Sequence, residues 1–144
     1  MIRLAKFEDY EELTAIWLEA SIHAHDFIDP TYWINQTHEM KNIYLPSSET
    51  WILEDKNQVV GFVSMLDDHI AALFLATAYQ SKGMGSQLIQ FVKTKHHFLS
   101  LNVYALNQQA VHFYKKQGFK VVEEMLDKNT AAMDYRMEWK QEGN

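Results

Sequence analysis

The segment Gln80-Ser81-Lys82-Gly83-Met84-Gly85 is the most informative part of this chain, because it places two glycines between an apolar run and an amphipathic helix. The run before it, Leu73-Phe74-Leu75, is typical of a buried strand. The residues Met84, Leu88 and Phe91 recur at helical spacing. Glycine lets a backbone turn sharply and approach a ligand closely, and the unpaired N–H groups at a helix start attract phosphate. The stretch therefore indicates a cradle for a pyrophosphate group.

This glycine loop differs from two other phosphate-binding loops. A dinucleotide fingerprint needs a glycine three residues after Gly85, where this chain has Leu88. A Walker A loop needs Gly-Lys-Ser/Thr, which the sequence lacks. An ordinary strand-to-helix turn punctuated by glycines would have the same local sequence, so the loop by itself leaves that alternative open.

On the N-terminal side of the loop, the pattern predicts a short strand, two helices and three further strands. The first helix is expected from about Glu8 to Ser21, with a loop over residues 22–29. The second begins at Pro30, and Pro46 lies just past its end. Strands are expected over residues 51–53, 59–66 and 70–76. Their connections are too short for crossovers, so these three strands form an antiparallel meander.

On the C-terminal side, strands are expected over residues 99–104, 119–124 and 133–139, with a helix that opens at Asn107 or Gln108. A helix separates the strand before the glycine loop from the strand after it, as parallel pairing requires. The order βααβββαβαββ predicts a single α/β domain over residues 1–144. Its mixed sheet is antiparallel in the N-terminal half, parallel in the middle and flanked by helices.

The helix after the parallel strand carries a second motif, Asn107-Gln108-Gln109-Ala110-Val111-His112-Phe113-Tyr114-Lys115-Lys116-Gln117-Gly118-Phe119. Taken alone, it describes a capped amphipathic helix. Asn107 is suited to the N-cap, Gly118 to the C-terminal cap, and Tyr114 to a half-buried position on the inner face.

Together the two motifs resemble those of the GCN5-related N-acetyltransferase (GNAT) superfamily. In that family a Q/R-x-x-G-x-G loop after the fourth strand holds the pyrophosphate of coenzyme A. An N-x-x-A-x-x-F-Y-x-x-x-G-F segment covers its pantetheine arm and thioester. Both patterns are present here, and the element order is similar over nearly the whole chain. The resemblance implies the GNAT fold, in which the parallel strands splay apart.

Within the superfamily, the chain resembles the small bacterial acetyltransferases of the YjaB and YiaC type. The shared residues are Trp17, the segment His25-Asp26-Phe27-Ile28, Gly61-Phe62-Val63 and Asn102-Val103. The resemblance implies an enzyme with acetyl-CoA as cosubstrate. Its acceptor would be a primary amine, of a small molecule or of a protein lysine or N-terminus, that attacks directly in a ternary complex. The alternative is a catalytically weak regulatory module that binds acetyl-CoA.

The resemblance also assigns roles to residues. Those expected to contact the cofactor are Leu73, Phe74, Leu75, Gln80, Ser81, Lys82, Gly83, Met84, Gly85, Ser86, Asn102, Asn107 and Tyr114. Tyr114 would lie beside the sulfur as the general acid that protonates the departing thiolate. The first two helices would form the wall on the acceptor side, so His25 and Phe27 are predicted to contact the acceptor.

The sequence departs from the family pattern at two points. Some relatives use a glutamate on the fifth strand as general base, and the matching residue here is Asn102, whose amide cannot accept a proton at neutral pH. The base is therefore water, a chain of waters or another side chain. His25 is the candidate, although a satisfied or exposed loop histidine is the alternative. The proline usual after the fourth strand is replaced by Thr77 or Ala78.

The composition excludes several classes of protein. The chain has no cysteine, so disulfides, thiolate metal sites and a cysteine nucleophile are excluded. A net charge of -6 disfavours binding to nucleic acid, which needs a basic surface. The apolar runs are too short for a signal peptide or a membrane span, and no histidine spacing suggests a metal site. We expect a cytoplasmic monomer or homodimer without nucleic-acid or membrane partners.

Overall fold

The computed structural model describes residues 1–142, which contain one seven-stranded sheet in the order β1-β2-β3-β4-β5-β7-β6. The strands are Ile2–Leu4 (β1), Glu49–Asp55 (β2), Gln58–Leu66 (β3), His69–Leu75 (β4), Phe98–Tyr104 (β5), Lys120–Asp127 (β6) and Ala132–Lys140 (β7). All neighbours pair antiparallel except β4 and β5, which pair parallel. The predicted α/β class and mixed sheet are confirmed.

Helical segments cover both faces of the sheet. Within residues 1–142 the α-helical ones are Tyr10–Ala24 (α1), Pro30–Ile34 (α2), Thr37–Glu39 (α3), Leu45–Ser47 (α4), Met84–Lys93 (α5) and Gln108–Lys116 (α6). Single 3-10 turns occur at Phe7–Asp9 and Thr77–Tyr79. None of these helices is both long and apolar enough to cross a membrane.

The sheet has a separate apolar core on each face. On one face, Phe62 packs with Trp17 of α1. On the other face, Leu101 and Val103 pack with Leu88 of α5 and with residues of α6. Side chains alternate along a strand, so Asn102 and Tyr104 of β5 lie on the α1 face. Tyr104 packs against the α1 core accordingly.

The two parallel strands separate soon after they meet. Their pairing is limited to His69 with Ser100 and Ile70 with Leu101. Beyond these pairs, β4 continues to Leu75 on β3 alone, and β5 continues to Tyr104 on β7 alone. The facing backbone edges therefore diverge and open a cleft through the sheet, as the GNAT resemblance implied.

Hydrogen bonds pin the two strands at their closed end. The Ser100 N–H donates to the Asp68 carbonyl at 3.0 Å, and the Ser100 hydroxyl bonds Nδ1 of His69 at 2.8 Å. His96, at the end of the helix that connects the strands, bonds the Asp68 carboxylate at 2.7 Å. The turn residues 67–69, which the sequence assigns to a solvated hairpin, thus also fix the point from which the strands diverge.

The first helix is longer than predicted. It continues through Ala24, so the loop expected over residues 22–29 begins only at His25. Ile22 contacts the apolar core on the α1 face. Burial of this side chain outweighs the weak helix preference of the segment, because packing routinely overrides propensity.

The second predicted helix is instead a series of short segments. Met40–Tyr44 forms a π-helical turn between α3 and α4, and the Leu45 N–H bonds the Met40 carbonyl. Pro46 lies inside α4 rather than past its end. Proline is tolerated in the first turn of a helix because the N–H that it lacks has no partner there.

We expect Gly61→Ala to destabilise the fold next to the cleft. A Cβ at Gly61 would clash with Cδ2 of Leu75 and would lie 2.8 Å from the backbone oxygen of Phe74, so β4 would have to shift. Overpacking of this kind costs about 1–3 kcal/mol. Urea unfolding followed by circular dichroism measures the loss. A variant as stable as the wild type would show that β4 can move away from β3 freely.

Candidate active site

A cleft of about 680 Å³ lies where β4 and β5 diverge. It is bounded by the end of α1, the glycine loop, α6 and the C-terminal strands. Twelve predicted site residues line it: His25, Leu73, Phe74, Leu75, Gln80, Ser81, Gly83, Gly85, Ser86, Asn102, Asn107 and Tyr114. The remaining predictions, Phe27, Lys82 and Met84, lie outside this lining.

These three residues have other surroundings. Phe27 packs edge-on against His25 and Tyr104, with ring centroids 5.7 Å away in both cases. The Lys82 ammonium lies 5.8 Å from the ring centroid of Tyr79. The side chain of Met84 packs against the core on the α5 face. Phe27 thus packs behind the wall of the cleft, Met84 contributes to the core, and the exposed Lys82 lies beside Tyr79.

The glycine loop has the geometry of an anion cradle. Ser81 and Gly83 adopt positive φ angles of 63° and 81°, and Gly83 is the N-cap of α5. The Gln87 N–H bonds the Gly83 carbonyl at 3.3 Å, so the preceding amides at the helix start have no helical partner. Gln80 ties the loop to β4 by donating Nε2–H to the Leu75 carbonyl at 3.3 Å. This cradle fits a pyrophosphate group.

The two glycines have different surroundings within the protein, in addition to the close approach to a ligand that the sequence suggests. A Cβ at Gly85 would lie 3.1 Å from Cζ of Phe113, so Gly85 permits α5 to pack against α6. A Cβ at Gly83 would have no heavy atom within 4 Å. Gly83 is instead required by its left-handed backbone, which glycine adopts without strain.

Tyr114 lies on α6 with its ring buried at the cleft. The residue is 8% exposed, and its ring centroid lies 5.2 Å from that of Phe113 and 5.7 Å from that of Phe119. Burial raises the pKa of Tyr114 above its ordinary value. The phenol therefore stays neutral near pH 7 and can donate a hydrogen bond or a proton.

His25 is a buried wall residue. It is 7% exposed and stacks on Trp33 with a centroid distance of 5.0 Å. Its Nε2 lies 3.4 Å from the amide nitrogen of Asn107, and its Nδ1 has no hydrogen-bond partner among residues 1–142. Burial lowers the pKa of His25, and the backbone of Ser21 opposes part of this shift. Burial and the lowered pKa make His25 a weaker base than an exposed histidine, although it lines the cleft.

Asn107 joins the two walls of the cleft. Its Oδ1 accepts the Ala110 N–H at 3.3 Å, which makes it the N-cap of α6 as predicted. Its Nδ2 reaches His25 at the end of α1. The side chain that the resemblance assigns to the pantetheine arm is thus already engaged by protein groups, although it lines the cleft.

Two carboxylates in the cleft were missed by the sequence analysis. Asn102 donates Nδ2–H to Oδ2 of Asp134 at 2.8 Å, and Tyr104 donates its hydroxyl to Oδ2 of Asp127 at 2.6 Å. All four side chains line the cleft. The local patterns of β6 and β7 carry no sign of this, because it depends on β7 pairing next to β5. The order of the strands along the chain does not by itself show that β7 lies beside β5.

Asp127 and Asp134 differ in electrostatic state. Burial opposes ionisation of Asp127, but hydrogen bonds from Tyr104, Asn129 and Thr130 outweigh it and hold its pKa below the ordinary value. Burial raises the pKa of Asp134, Asn102 opposes this, and the charge of Asp127 adds to the rise. Asp127 is therefore the more firmly ionised of the two. Within residues 1–142, no group of histidine, aspartate and glutamate side chains is arranged to hold a metal ion.

A cleft between two diverging parallel strands, with backbone amides for a pyrophosphate at one end, is the arrangement of an acyl-CoA-dependent transferase. The sequence matches the family described as acetyltransferase (GNAT) domain over residues 8–139. The chain belongs to the GNAT family, and it is an N-acetyltransferase that uses acetyl-CoA as its cosubstrate. The predicted family, fold, enzyme class and cosubstrate are confirmed.

Two similar proteins place the chain within this family. Peptidyl-lysine N-acetyltransferase YiaC of Escherichia coli (strain K12) is 33% identical over 140 residues, which cover 96% of each chain. The solution structure of apo-form YjaB from Escherichia coli is 30% identical, with a TM-score of 0.86 over 99% of this chain and 98% of that one. The predicted resemblance to the YjaB and YiaC type is confirmed.

A more distant structure shares the fold alone. The PaiA N-acetyltransferase of Thermoplasma acidophilum, solved in complex with coenzyme A, is 20% identical with a TM-score of 0.79. The match covers 97% of this chain and 98% of that chain. The element order and the splayed sheet are thus common to relatives with very different side chains.

We expect Gly83→Ala to weaken acetyl-CoA binding together with stability. Alanine disfavours the left-handed backbone by roughly 1–2 kcal/mol, and relief of that strain would rotate the amides of the cradle. Gly83→Asn is the matched variant, because asparagine tolerates this conformation better. Calorimetry with acetyl-CoA and thermal unfolding measure both effects. Wild-type affinity in a folded Gly83→Ala protein would contradict the amide cradle.

Proposed function

We propose that this N-acetyltransferase modifies the side-chain ammonium of lysine residues in proteins. The observation that carries the proposal is the charge of the cleft: Asp127 and Asp134 line it, and no lysine or arginine of residues 1–142 does. A concave site with carboxylates attracts a cationic acceptor. The YiaC relative, 33% identical over nearly the whole chain, is named a peptidyl-lysine N-acetyltransferase.

The two faces of the sheet support a ternary complex. Tyr114 belongs to the core on the α5 and α6 face, whereas Tyr104 packs on the α1 face. In our proposal the cofactor lies between the strands with its pyrophosphate on the glycine loop. The acceptor enters from the α1 face, beside the two carboxylates. The amine nitrogen and the thioester then meet in the gap without a covalent acetyl-enzyme.

The cofactor contacts in this proposal are those expected from the resemblance. Backbone groups of Leu73, Phe74 and Leu75 lie along the open edge of β4, where main-chain groups without a strand partner need a ligand or water. Amides at the start of α5 hold the pyrophosphate. Tyr114 acts as general acid toward the sulfur, and its buried, protonated phenol supports that role. His25 and Phe27 act on the acceptor indirectly, as part of the wall.

We also propose that the enzyme works in the cytoplasm as a single domain, monomeric or homodimeric, and without a nucleic-acid partner. The net charge of -6 supports the last point, since a phosphate backbone would be repelled. Size-exclusion chromatography with light scattering tests the oligomeric state.

An acceptor panel tests the proposed substrate. Purified protein is mixed with acetyl-CoA and a lysine peptide with a blocked N-terminus. Parallel samples contain the same peptide with arginine for lysine, a lysine-free peptide with a free N-terminus, or spermidine. Released coenzyme A is read with a thiol reagent, which the cysteine-free chain does not consume. We expect the lysine peptide to be preferred. Preference for another amine would contradict the substrate, and no release with any amine would favour the regulatory module.

We expect Tyr114→Phe to lower kcat about 10²–10⁴-fold, the usual contribution of a general acid. The change keeps the buried ring and removes the hydroxyl alone, so acetyl-CoA affinity and melting temperature should stay near wild type. Tyr135→Phe is the control, because that ring packs on the same core without lining the cleft. Near-normal kcat in Tyr114→Phe, with chemistry rate-limiting, would leave Tyr114 a packing residue.

A further inference from the structure

The proposed reaction needs a base that the family pattern does not supply here. A lysine side chain is an ammonium ion at neutral pH, and it must lose a proton before its nitrogen can attack. Asn102 occupies the position of the glutamate in some relatives and cannot accept a proton. His25 is 7% exposed, and Asn107 holds its Nε2. Neither residue meets the requirement.

Asp134 is placed where such a base is needed. It lies directly opposite Tyr104 in the β5–β7 ladder, on the same face as Asn102 and therefore on the acceptor side of the sheet. It lines the cleft and is partly buried. Asn102 donates to its Oδ2 at 2.8 Å, and this is the one hydrogen bond of the Asp134 carboxylate within residues 1–142. One oxygen is positioned, and the other is open to a substrate.

Asp127 is the contrasting carboxylate of the same cleft. Its Oδ2 accepts the Tyr104 hydroxyl at 2.6 Å, and its Oδ1 accepts the Asn129 N–H at 2.9 Å. Both oxygens are therefore engaged, one by the turn between β6 and β7 and the other by Tyr104 of β5. When two carboxylates have such different surroundings, the engaged one stays charged and the open one is free to exchange protons.

We infer that Asp134 is the general base that takes a proton from the acceptor ammonium, one strand away from the position that Asn102 occupies. The inference deepens the proposed function and rests on it, because it takes the acceptor to be a cation. In this arrangement Asn102 is a positioning residue that aims the carboxylate, and the fixed charge of Asp127 favours the ammonium in the cleft.

The proton balance of the transfer follows directly. Asp134 accepts one proton of the ammonium and later releases it to solvent. The nitrogen bonds the acetyl carbon, and the bond from that carbon to sulfur breaks with its electron pair on sulfur. Tyr114 gives its proton to the sulfur and regains one from water. The nitrogen loses a second proton to water as the amide forms. The net products are the acetylated amine, coenzyme A as a thiol and one proton.

Several charged and titratable groups lie around Asp134. They are Asp127 at the end of β6, the Tyr104 hydroxyl on β5, Arg136 two residues along β7, and His25 behind Tyr104 on the opposite wall. Burial and Asp127 raise the pKa of Asp134, and the Asn102 amide lowers it. Loss of that amide should therefore raise the pKa further.

Asp134→Asn tests the inference, with the blocked lysine peptide as acceptor. We expect kcat/KM to fall about 10²–10⁴-fold at neutral pH, with unchanged acetyl-CoA affinity. The residual rate should climb with pH toward the pKa of free lysine, about 10.4. Glu138→Gln is the matched control, because it removes the same charge from the same face of β7 outside the cleft. A wild-type rate in Asp134→Asn would overturn the assignment.

A neutral acceptor separates a base from a merely structural role. A peptide that carries an aminooxy group in place of the lysine ammonium is uncharged at neutral pH and needs no deprotonation before attack. The defect of Asp134→Asn should largely disappear with this acceptor. An equal defect for both acceptors would show that Asp134 only positions groups, and it would overturn the base role.

The pH dependence of kcat/KM in an Asn102 variant tests the role of Asp134 independently. Asn102→Ala should move the acidic limb of the kcat/KM profile to higher pH, because Asp134 must be ionised to act and would lose the amide that favours its ionised form. An unmoved limb would contradict the link between the two residues.

n-Butylamine, a lysine side chain without backbone, distinguishes the two proposals. Transfer to butylamine but not to the peptide, with the same Asp134 dependence, overturns the peptide substrate alone.

Discussion

The divergence of β4 from β5 is the constraint on which the rest of this molecule depends. Two parallel pairs hold the strands together at one end, where Ser100 bonds the carbonyl of Asp68 and the ring of His69. Beyond that point each strand keeps only its other neighbour, so two backbone edges lack a protein partner. Unpaired main-chain N–H and C=O groups cost folding free energy when they are buried away from water. A fold that contains such a gap is stable only if water or a ligand occupies it, which makes binding a consequence of the topology.

The gap also divides the chemistry between the two faces of the sheet. The side chains of β5 alternate, so Leu101 and Val103 lie on the α5 and α6 face, whereas Asn102 and Tyr104 lie on the α1 face. Tyr114 of α6 also belongs to the α5 and α6 face. The apolar face suits a thioester and keeps a phenol protonated. The opposite face carries carboxylates and can receive an ammonium ion. In our proposal the acid and the base therefore act from opposite faces of the sheet on the same opening.

The sequence was sufficient for the fold and for the position of two motifs beside the cleft. The glycine loop and the Asn107–Phe119 segment are local signals, because a helix start and a helix cap are set by nearby residues, and both lie where they were expected. The π turn at Met40–Tyr44 was missed, since it depends on packing rather than on periodicity. The protein packing around the glycines was also not predicted. Gly85 packs closely against Phe113 of α6, and no spacing in the sequence predicts this contact.

Local sequence patterns could not predict the acceptor half of the site, for a related reason. Asn102 and Asp134 are far apart in the chain, and they meet only because β7 inserts between β5 and β6. A comparison made position by position along β5 finds a missing carboxylate and suggests a weak enzyme. A comparison made across the sheet finds a carboxylate on the adjacent strand, held by the very amide that replaced the glutamate. Catalytic groups are constrained by where their atoms lie in the cleft, so the same chemical requirement can be met from a neighbouring strand when the original position no longer supplies it.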